Sequence, residues 1–318
     1  MRALGYVAWR MLGALGTLAV LSLLLFVGSE ALPGDAASAL PERAATTEEV
    51  ARLRQELGLD QPLVARYVDW AASALRGDLG HSIVTGRPVT DLLTEPAEYS
   101  AVLVLLSAVV SVLFSLVIGV IAGLRPGSRL DRVLSAGALV VVSIPQFVTA
   151  SFLVALFAVT WGLLPAVSLV PLGGGPLDRP EILVLPVLSL SLFATAWASQ
   201  LVRATVVDAG AAPNVEAARL AGLPERTVIW RHLMPATVPP LAQMFAWLLS
   251  GLVGGTAIVE RVFSYPGLSG VLVDAVRQHD PAVLEGVGLL MAALLILGLL
   301  LADVIGVLAT PRLPTASA

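Results

Sequence analysis

The sequence has no lysine and no cysteine. Without cysteine there are no disulfides, no thiol nucleophile and no thiolate metal site. Without lysine the chain cannot build a P-loop, whose lysine reaches the phosphates of a bound nucleotide, and it cannot form a Schiff base. All 19 basic residues are arginine. Charge of either sign is scarce too: 13% of the 318 residues are charged and 57% are hydrophobic, against about 25% charged in a soluble domain. So few charges cannot cover a water-facing surface, which makes a polytopic membrane protein the default class. A net charge of −4 offers nucleic acid nothing to bind. The three histidines, His81, His232 and His279, have no metal-ligand spacing, so neither a metal site nor a catalytic site is expected.

What is present is a series of long charge-free runs. Met11–Ser29 is uncharged for 19 residues, close to one hydrocarbon thickness. Tyr99–Leu124 is a second gap, of 26 residues, and Val133–Leu177 a third, of 45. The third is too long for one helix. It contains "SIPQF" at Ser143–Phe147 and breaks up at "LLPAVSLVPLGGGP", which predicts one kinked span followed by a loop. Ile182–Val202, Leu233–Val259 and Gly286–Ala302 complete the set. The expected fold is therefore an all-α integral membrane protein with six transmembrane helices. The first run reads as an uncleaved anchor, since only "GDAASA" resembles a cleavage site after it.

Orientation follows the arginines. Arg2 and Arg10 precede the first span, Arg125, Arg129 and Arg132 lie between the second and third, and Arg203, Arg219, Arg226 and Arg231 lie between the fourth and fifth. The alternate loops are poorer in arginine, which places both termini in the cytoplasm. The expected organisation is an N-terminal transmembrane helix over 1–29, an extracytoplasmic loop or cap over 30–98, a five-helix core over 99–305 with a cytoplasmic loop at 203–235, and a tail over 306–318. Within the cap, "TTEEVARLRQELGL" has Thr47 as N-cap and Val50, Leu53 and Leu57 on one face, and "QPLVARYVDWAASALRGDLG" reads as a second amphipathic helix.

No ionisable residue lies deep inside a span, which argues against an ion-coupled carrier. Broken-helix carbonyls that bind sodium keep that class open. Small residues recur every four positions at Ser107, Ser111, Ser115, Gly119 and Gly123, and again at Gly251 and Gly255. Such residues let helices approach closely in lipid, and lining a pathway is the alternative. Pro145 is a hinge, a source of freed carbonyls, or packing geometry. Ser143, Pro145, Gln146, Gln243 and Ser250 are the main candidates for a translocation pathway, with Thr195 and Gln200 behind them. Interhelical hydrogen bonding is the competing role for each.

An enzyme reading rests on "GLSG" at Gly267–Gly270, a pattern of rhomboid-type intramembrane proteases, with His279 ten residues on. Ser269 lies in a charged loop rather than at the start of a span, and four-residue matches are common in a glycine-rich chain.

The segment "EAARLAGLPERTVIWRHLMP", Glu216–Pro235, interrupts the apolar pattern with charges and prolines. Pro213 suits a helix first turn, Gly222 a left-handed cap, and Pro224 starts a second helix that Pro235 ends. Ala217, Ala218 and Ala221 keep the first helix thin, and Glu216 and Arg219 are spaced to pair. A docking element and a solvated loop both fit this spacing.

Glu216-Ala217-Ala218, then Gly222, then Pro235 thirteen residues later, resembles the EAA loop of bacterial binding-protein-dependent ABC importer permeases. The ending His232-Leu233-Met234-Pro235 departs from the family pattern at two positions. "LPGDAASAL", "RGDLGHSIVTGRPV", "SIPQF", "ATVPPL" and "VERVFSYPGLSGVLVDAVRQHDP" are each similar to the dipeptide/oligopeptide/nickel branch, and their order resembles its first permease subunit. The "GLSG" then reads as a variant of a family loop, and Thr310-Pro311-Arg312 lacks the acid that the family usually has there.

The resemblance implies a type I ABC importer permease fold in the bacterial cytoplasmic membrane. It implies as partners a second, homologous permease, two ABC ATPase subunits or one fused ATPase, and an extracytoplasmic substrate-binding protein, with ATP and magnesium held by the ATPases. By position, Glu216, Ala217, Ala218, Arg219, Ala221, Gly222 and Pro224 would carry coupling to the ATPase. Di- and oligopeptides are the substrate expected first, with nickel or another small solute as the alternative and a stand-alone carrier as the distant one.

Overall fold

Helices carry the long apolar runs in the computed structural model, which describes residues 2–30, 61–171 and 173–309. Helix α1 spans Arg2–Glu30, α2 Leu63–Ala74, α3 Val89–Leu124 and α4 Arg129–Ser143. Next come α5, Gln146–Leu153, with a π-helical continuation over Val154–Thr160, and α6, Glu181–Gly210. Then follow α7 (Pro213–Leu220), α8 (Glu225–Val228), α9 (Met234–Val262), α10 (Leu268–Arg277) and α11 (Pro281–Ala309). Among the described residues there is no strand, only an isolated bridge between His81 and Pro88. The helix expected around Thr47, Val50, Leu53 and Leu57 lies outside the described residues, as does the tail beyond 309.

Five helices are long and apolar enough to cross a membrane, and the pair α4 and α5 makes a sixth if counted as one span. That third span is more than kinked. Its halves meet at 100°, with extended Ile144 and Pro145 between them. The proline disfavours helical backbone at Ile144 and cannot donate back to the preceding turn, so α4 stops and Pro145 starts a new helix as its N-cap.

Charge-free gaps underestimate the helices. The second starts at Val89, ten residues before Tyr99, and takes Asp91, Glu95 and Glu98 onto its first turns. At about 1.5 Å per residue its 36 residues measure roughly 54 Å against a hydrocarbon core of about 30 Å. One end therefore stands clear of the bilayer.

At the centre is α6, flanked by α3, α4, α5 and α9. Two-thirds of its most apolar stretch is buried, against 11% for α1, which packs mainly on α11 at the edge. Helices α3 and α6 run side by side in the same direction and in fixed register. Ser111 Oγ donates to the Ser191 carbonyl at 3.4 Å. A Cβ on Gly119 would lie 2.7 Å from the Ser199 carbonyl and 2.5 Å from Val202 Cβ; one on Gly123 would lie 2.9 Å from the Arg203 carbonyl. The carbonyl partners are eighty residues on in each case. Ser107 and Ser115 share this buried stripe. The four-residue spacing thus marks a contact so close that backbone meets backbone.

Candidate functional site

The loop between α6 and α9 is built as a locked turn. Pro213 is the first residue of α7, where its missing N–H costs nothing. Val215 and Ala218 turn inward and join Val228 and Leu233 in the main core. The helix ends in a Schellman arrangement: Leu223 N–H donates to the Ala218 carbonyl and Gly222 N–H to the Arg219 carbonyl, at 3.3 and 2.9 Å. Gly222 holds φ +75°, and nothing lies within 4 Å of where its Cβ would be. The demand for glycine is therefore conformational. Pro224 is the N-cap of α8.

Two details differ from the sequence reading. Arg219 does not pair with Glu216. Its guanidinium reaches Glu225 Oε1 at 3.0 Å and the Gly210 carbonyl at 3.2 Å, tying the end of α6 to the start of α8. Glu216 is left exposed on the outer face with Ala217, Leu220 and Ala221. Leu220 is 83% accessible, whereas Ala218 packs inward, so its small size serves the chain's own core.

Pro235 does not end the helix. The chain is helical from Glu225 to Val262, and the stretch Ile229–Leu233 widens to a π-helix just before the proline. That widening relieves the missing proline donor and the clash of its ring with the preceding turn. The continuous helix has 38 residues, roughly 57 Å, so its charged first turns project from the membrane.

A cleft of about 470 Å³ opens on one side of the helix group, with Gln146, Phe193, Trp197, Trp247, Ser250 and Gly251 in its wall. Gln146, at the first turn of α5, lies beside Gly255: its amide is 3.6 Å from where a Cβ there would be. The 100° break thus aims Gln146 into an otherwise mostly apolar cleft. Ser250 reaches the wall as well, but its hydroxyl donates to the Leu295 carbonyl of α11 at 3.3 Å.

The other pathway candidates lie elsewhere. Ser143 bonds back to Leu139 at 2.8 Å, Pro145 sits in the break, and Gln243 packs beside Gly306. Thr195 is buried within α6, and Gln200 is half-buried near the same helix's end. Gly255 abuts Leu190, at 2.9 Å from a would-be Cβ, but Gly251 has nothing within 4 Å. Gly251 therefore leaves room in the cleft, with none of the described residues of this chain against it.

At the far end of α9 the reverse loop "VERVFSYPGLSG" is held by a buried carboxylate. Glu260 Oε1 accepts from Ser100 Oγ at 2.5 Å and Oε2 from the Ser269 N–H at 2.9 Å. Ser100 Oγ in turn accepts from the Leu268 N–H. A side chain on Gly267 would collide with the Glu260 carboxylate. Tyr265 donates to the Tyr99 carbonyl at 2.8 Å, and burial pushes its phenol pKa up. Ser269 is 3% exposed at the start of α10, which leaves no approach for a scissile carbonyl and removes the protease reading.

Sequence reasoning missed Glu260, because an acid at a span end looks like a solvated one. It also missed the buried Asp131, which accepts from Arg203 Nη2 at 2.8 Å, from the Gly127 N–H and from Ser135. The Asp/Arg pairing across 72 residues had no local signal. Gly298, whose missing side chain makes room for Ser250, was missed as well.

Comparison with known proteins places this architecture. The family described as binding-protein-dependent transport system inner membrane component matches over residues 115–314, and its N-terminal counterpart over 3–87. A probable peptide ABC transporter permease of Sinorhizobium fredii is 29% identical, covering 97% of this chain and 98% of its own length. A putative peptide transport system permease of Brucella abortus is 30% identical, covering 95% and 96%. A glutathione transport system permease of Shigella flexneri is 33% identical over the same shares. With its several membrane-crossing helices and matches over nearly its whole length, the chain belongs to the family of binding-protein-dependent transport system inner membrane components.

Proposed function

We propose that this chain is a permease subunit of an ATP-driven importer of small peptides, and that the α7 turn is where ATP-derived work enters it. The observation that carries the reading is the turn itself. A two-turn helix is locked to its own core by Val215, Ala218, the Gly222 cap and the Arg219–Glu225 bridge, yet presents Glu216, Ala217 and Leu220 outward. A rigid, projecting helix of this kind transmits a push or pull to α6 and α9, the two long helices it joins. The lysine-free chain supplies no P-loop, so on this reading ATP and magnesium belong to ATPase partners.

A second permease completes the pathway, which on this side includes Gln146 and the apolar cleft. A binding protein delivers substrate on the face away from α7. The arginine distribution supports a cytoplasmic side for both termini and α7. Peptides are favoured over nickel because the cleft offers apolar walls and one amide, with no metal-ligating side chain among the residues that line it. The test is uptake by the reconstituted complex in vesicles. ATP-dependent accumulation of a labelled dipeptide, competed by unlabelled glutathione or tripeptide, supports the reading. Accumulation that proceeds without ATP, or that peptides do not compete, overturns it.

A further inference from the structure

We infer that α2 is an interfacial helix, immersed in the bilayer leaflet on the side away from α7 with one face against phospholipid acyl chains. The sequence alone suggested an amphipathic helix within a small extracytoplasmic cap. Three observations together point to lipid.

The first is depth. Tyr67 of α2 donates to the Ala19 carbonyl at 3.2 Å, and its hydroxyl lies 2.9 Å from Ser22 Oγ. Both partners lie on the α1 span, Trp9–Glu30. Ala19 is eleven residues before Glu30, about 16 Å along the axis, comparable to half the hydrocarbon core of about 30 Å. Arg66 pairs with Glu30 at 2.9 Å and Phe26 stacks between Arg66, Tyr67 and Trp70, so α2 leans on α1 between Ala19 and Glu30. A helix whose Tyr67 hydroxyl reaches that level while Arg66 stays at the Glu30 end lies along the leaflet, beside a lipid-facing span.

The second is the division of α2 into three sectors. Tyr67, Trp70 and Ala74 turn toward the protein and are half-buried. Asp69, Ser73 and Arg76 form a polar edge. Val64, Val68 and Leu75, at helical spacing, form a bare apolar stripe between the two, with 72%, 56% and 90% of their surfaces accessible. A water-standing cap needs two sectors; a helix at the membrane surface beside a protein needs all three.

The third is continuity. The neighbouring side of α1, with Val20, Leu24 and Val27, is also exposed and apolar, and on a membrane span that surface faces acyl chains. The stripe of α2 extends it. The aromatic pair and the Arg66–Glu30 bridge lie where such groups anchor helices to an interface.

The absence of cysteine makes the test direct. Single cysteines at Val64, Val68, Leu75, Asp69 and Arg76 are spin-labelled in the full chain in phosphatidylethanolamine/phosphatidylglycerol vesicles. Collisions with oxygen, which concentrates in lipid, are compared with collisions with a water-soluble nickel chelate. Labels at 64, 68 and 75 are expected to favour oxygen, at depths of about 5–10 Å, and those at 69 and 76 to favour nickel. Val68→Asp in the Leu75-labelled chain should raise nickel access at 75. Nickel access at all five sites overturns the proposal, because the helix then stands in water. Exclusion of both reagents at 64, 68 and 75 overturns it too, because protein then covers the stripe.

Discussion

Replacing Gly222 separates conformation from contact in the α7 turn. At φ +75° an L-residue pays about 1–2 kcal/mol for the left-handed conformation, and a β-branched one more. Because a Cβ there meets nothing within 4 Å, no steric term adds to this. Gly222→Val therefore weakens the two Schellman bonds by about 2 kcal/mol or somewhat more, a roughly thirty-fold shift toward an unlocked turn. Gly222→Asn shifts it much less, since asparagine enters that region readily. Neither change touches Val215 or Ala218, whose burial anchors α7, and neither lies in a span. Both variants should insert and assemble normally. The assay is a ratio, peptide taken up per ATP hydrolysed in vesicles. The valine variant should hydrolyse ATP with markedly less uptake, and the asparagine variant should stay near the unmodified chain. Equal ratios for the two variants refute the locked-turn mechanism. Failure of the valine variant to insert refutes the claim that the cost is local.

Three further outcomes follow from the packing. Gly119→Val places side-chain atoms where Val202 and the Ser199 carbonyl already are, and should abolish folded protein, as judged by monodispersity in detergent; Gly251→Ala, facing open space, should leave it unchanged. Glu260→Ala leaves the Ser269 N–H and the Ser100 hydroxyl without their buried acceptor, at about 1–3 kcal/mol for each orphaned group, which should appear as a lower thermal midpoint. Arg203→Gln should lower the midpoint more than Asp131→Asn, because it strands a carboxylate that is 3% exposed, whereas the arginine, 30% exposed, can turn to water; the double variant should recover part of the loss.

How much of this was legible depended on whether a feature obeys a local rule. The five long helices and the bent pair followed from charge-free runs, because a bilayer forbids unpaired charge over about 20 residues whatever the packing. The small-residue stripe of α3 was legible for a related reason: only a helix face in close contact needs a small residue every fourth position. Within this chain Gly255 meets Leu190 and Gly251 meets nothing, since the spacing states that a face is slim but not what occupies the space beside it. Helix ends were legible only where the chain itself terminates the helix. Gly222 had to be a cap and Pro213 a first turn, and both are. Pro235 looked like the same kind of signal. A π-helical turn absorbed its missing donor, a compensation made over several residues that no single position announces.

The chemistry of the site divides along the same line. Glu216 and Arg219 stand at pairing distance along a helix, yet the arginine bridges to Glu225, because the Gly222 turn folds α8 back beside it and brings the Gly210 carbonyl within reach of the same guanidinium. A tertiary geometry thereby displaced a spacing rule, and the change alters what the segment offers a partner. Had Glu216 and Arg219 neutralised each other, the outer face would carry no net charge beside Leu220. Instead Arg219 bridges across the surface to Glu225 and the Gly210 carbonyl, bracing the turn, and Glu216 stays unpaired with it on the outer face beside Leu220. That face carries one negative charge next to one large apolar side chain. A groove fitted to it would need an apolar floor with a cation at its rim.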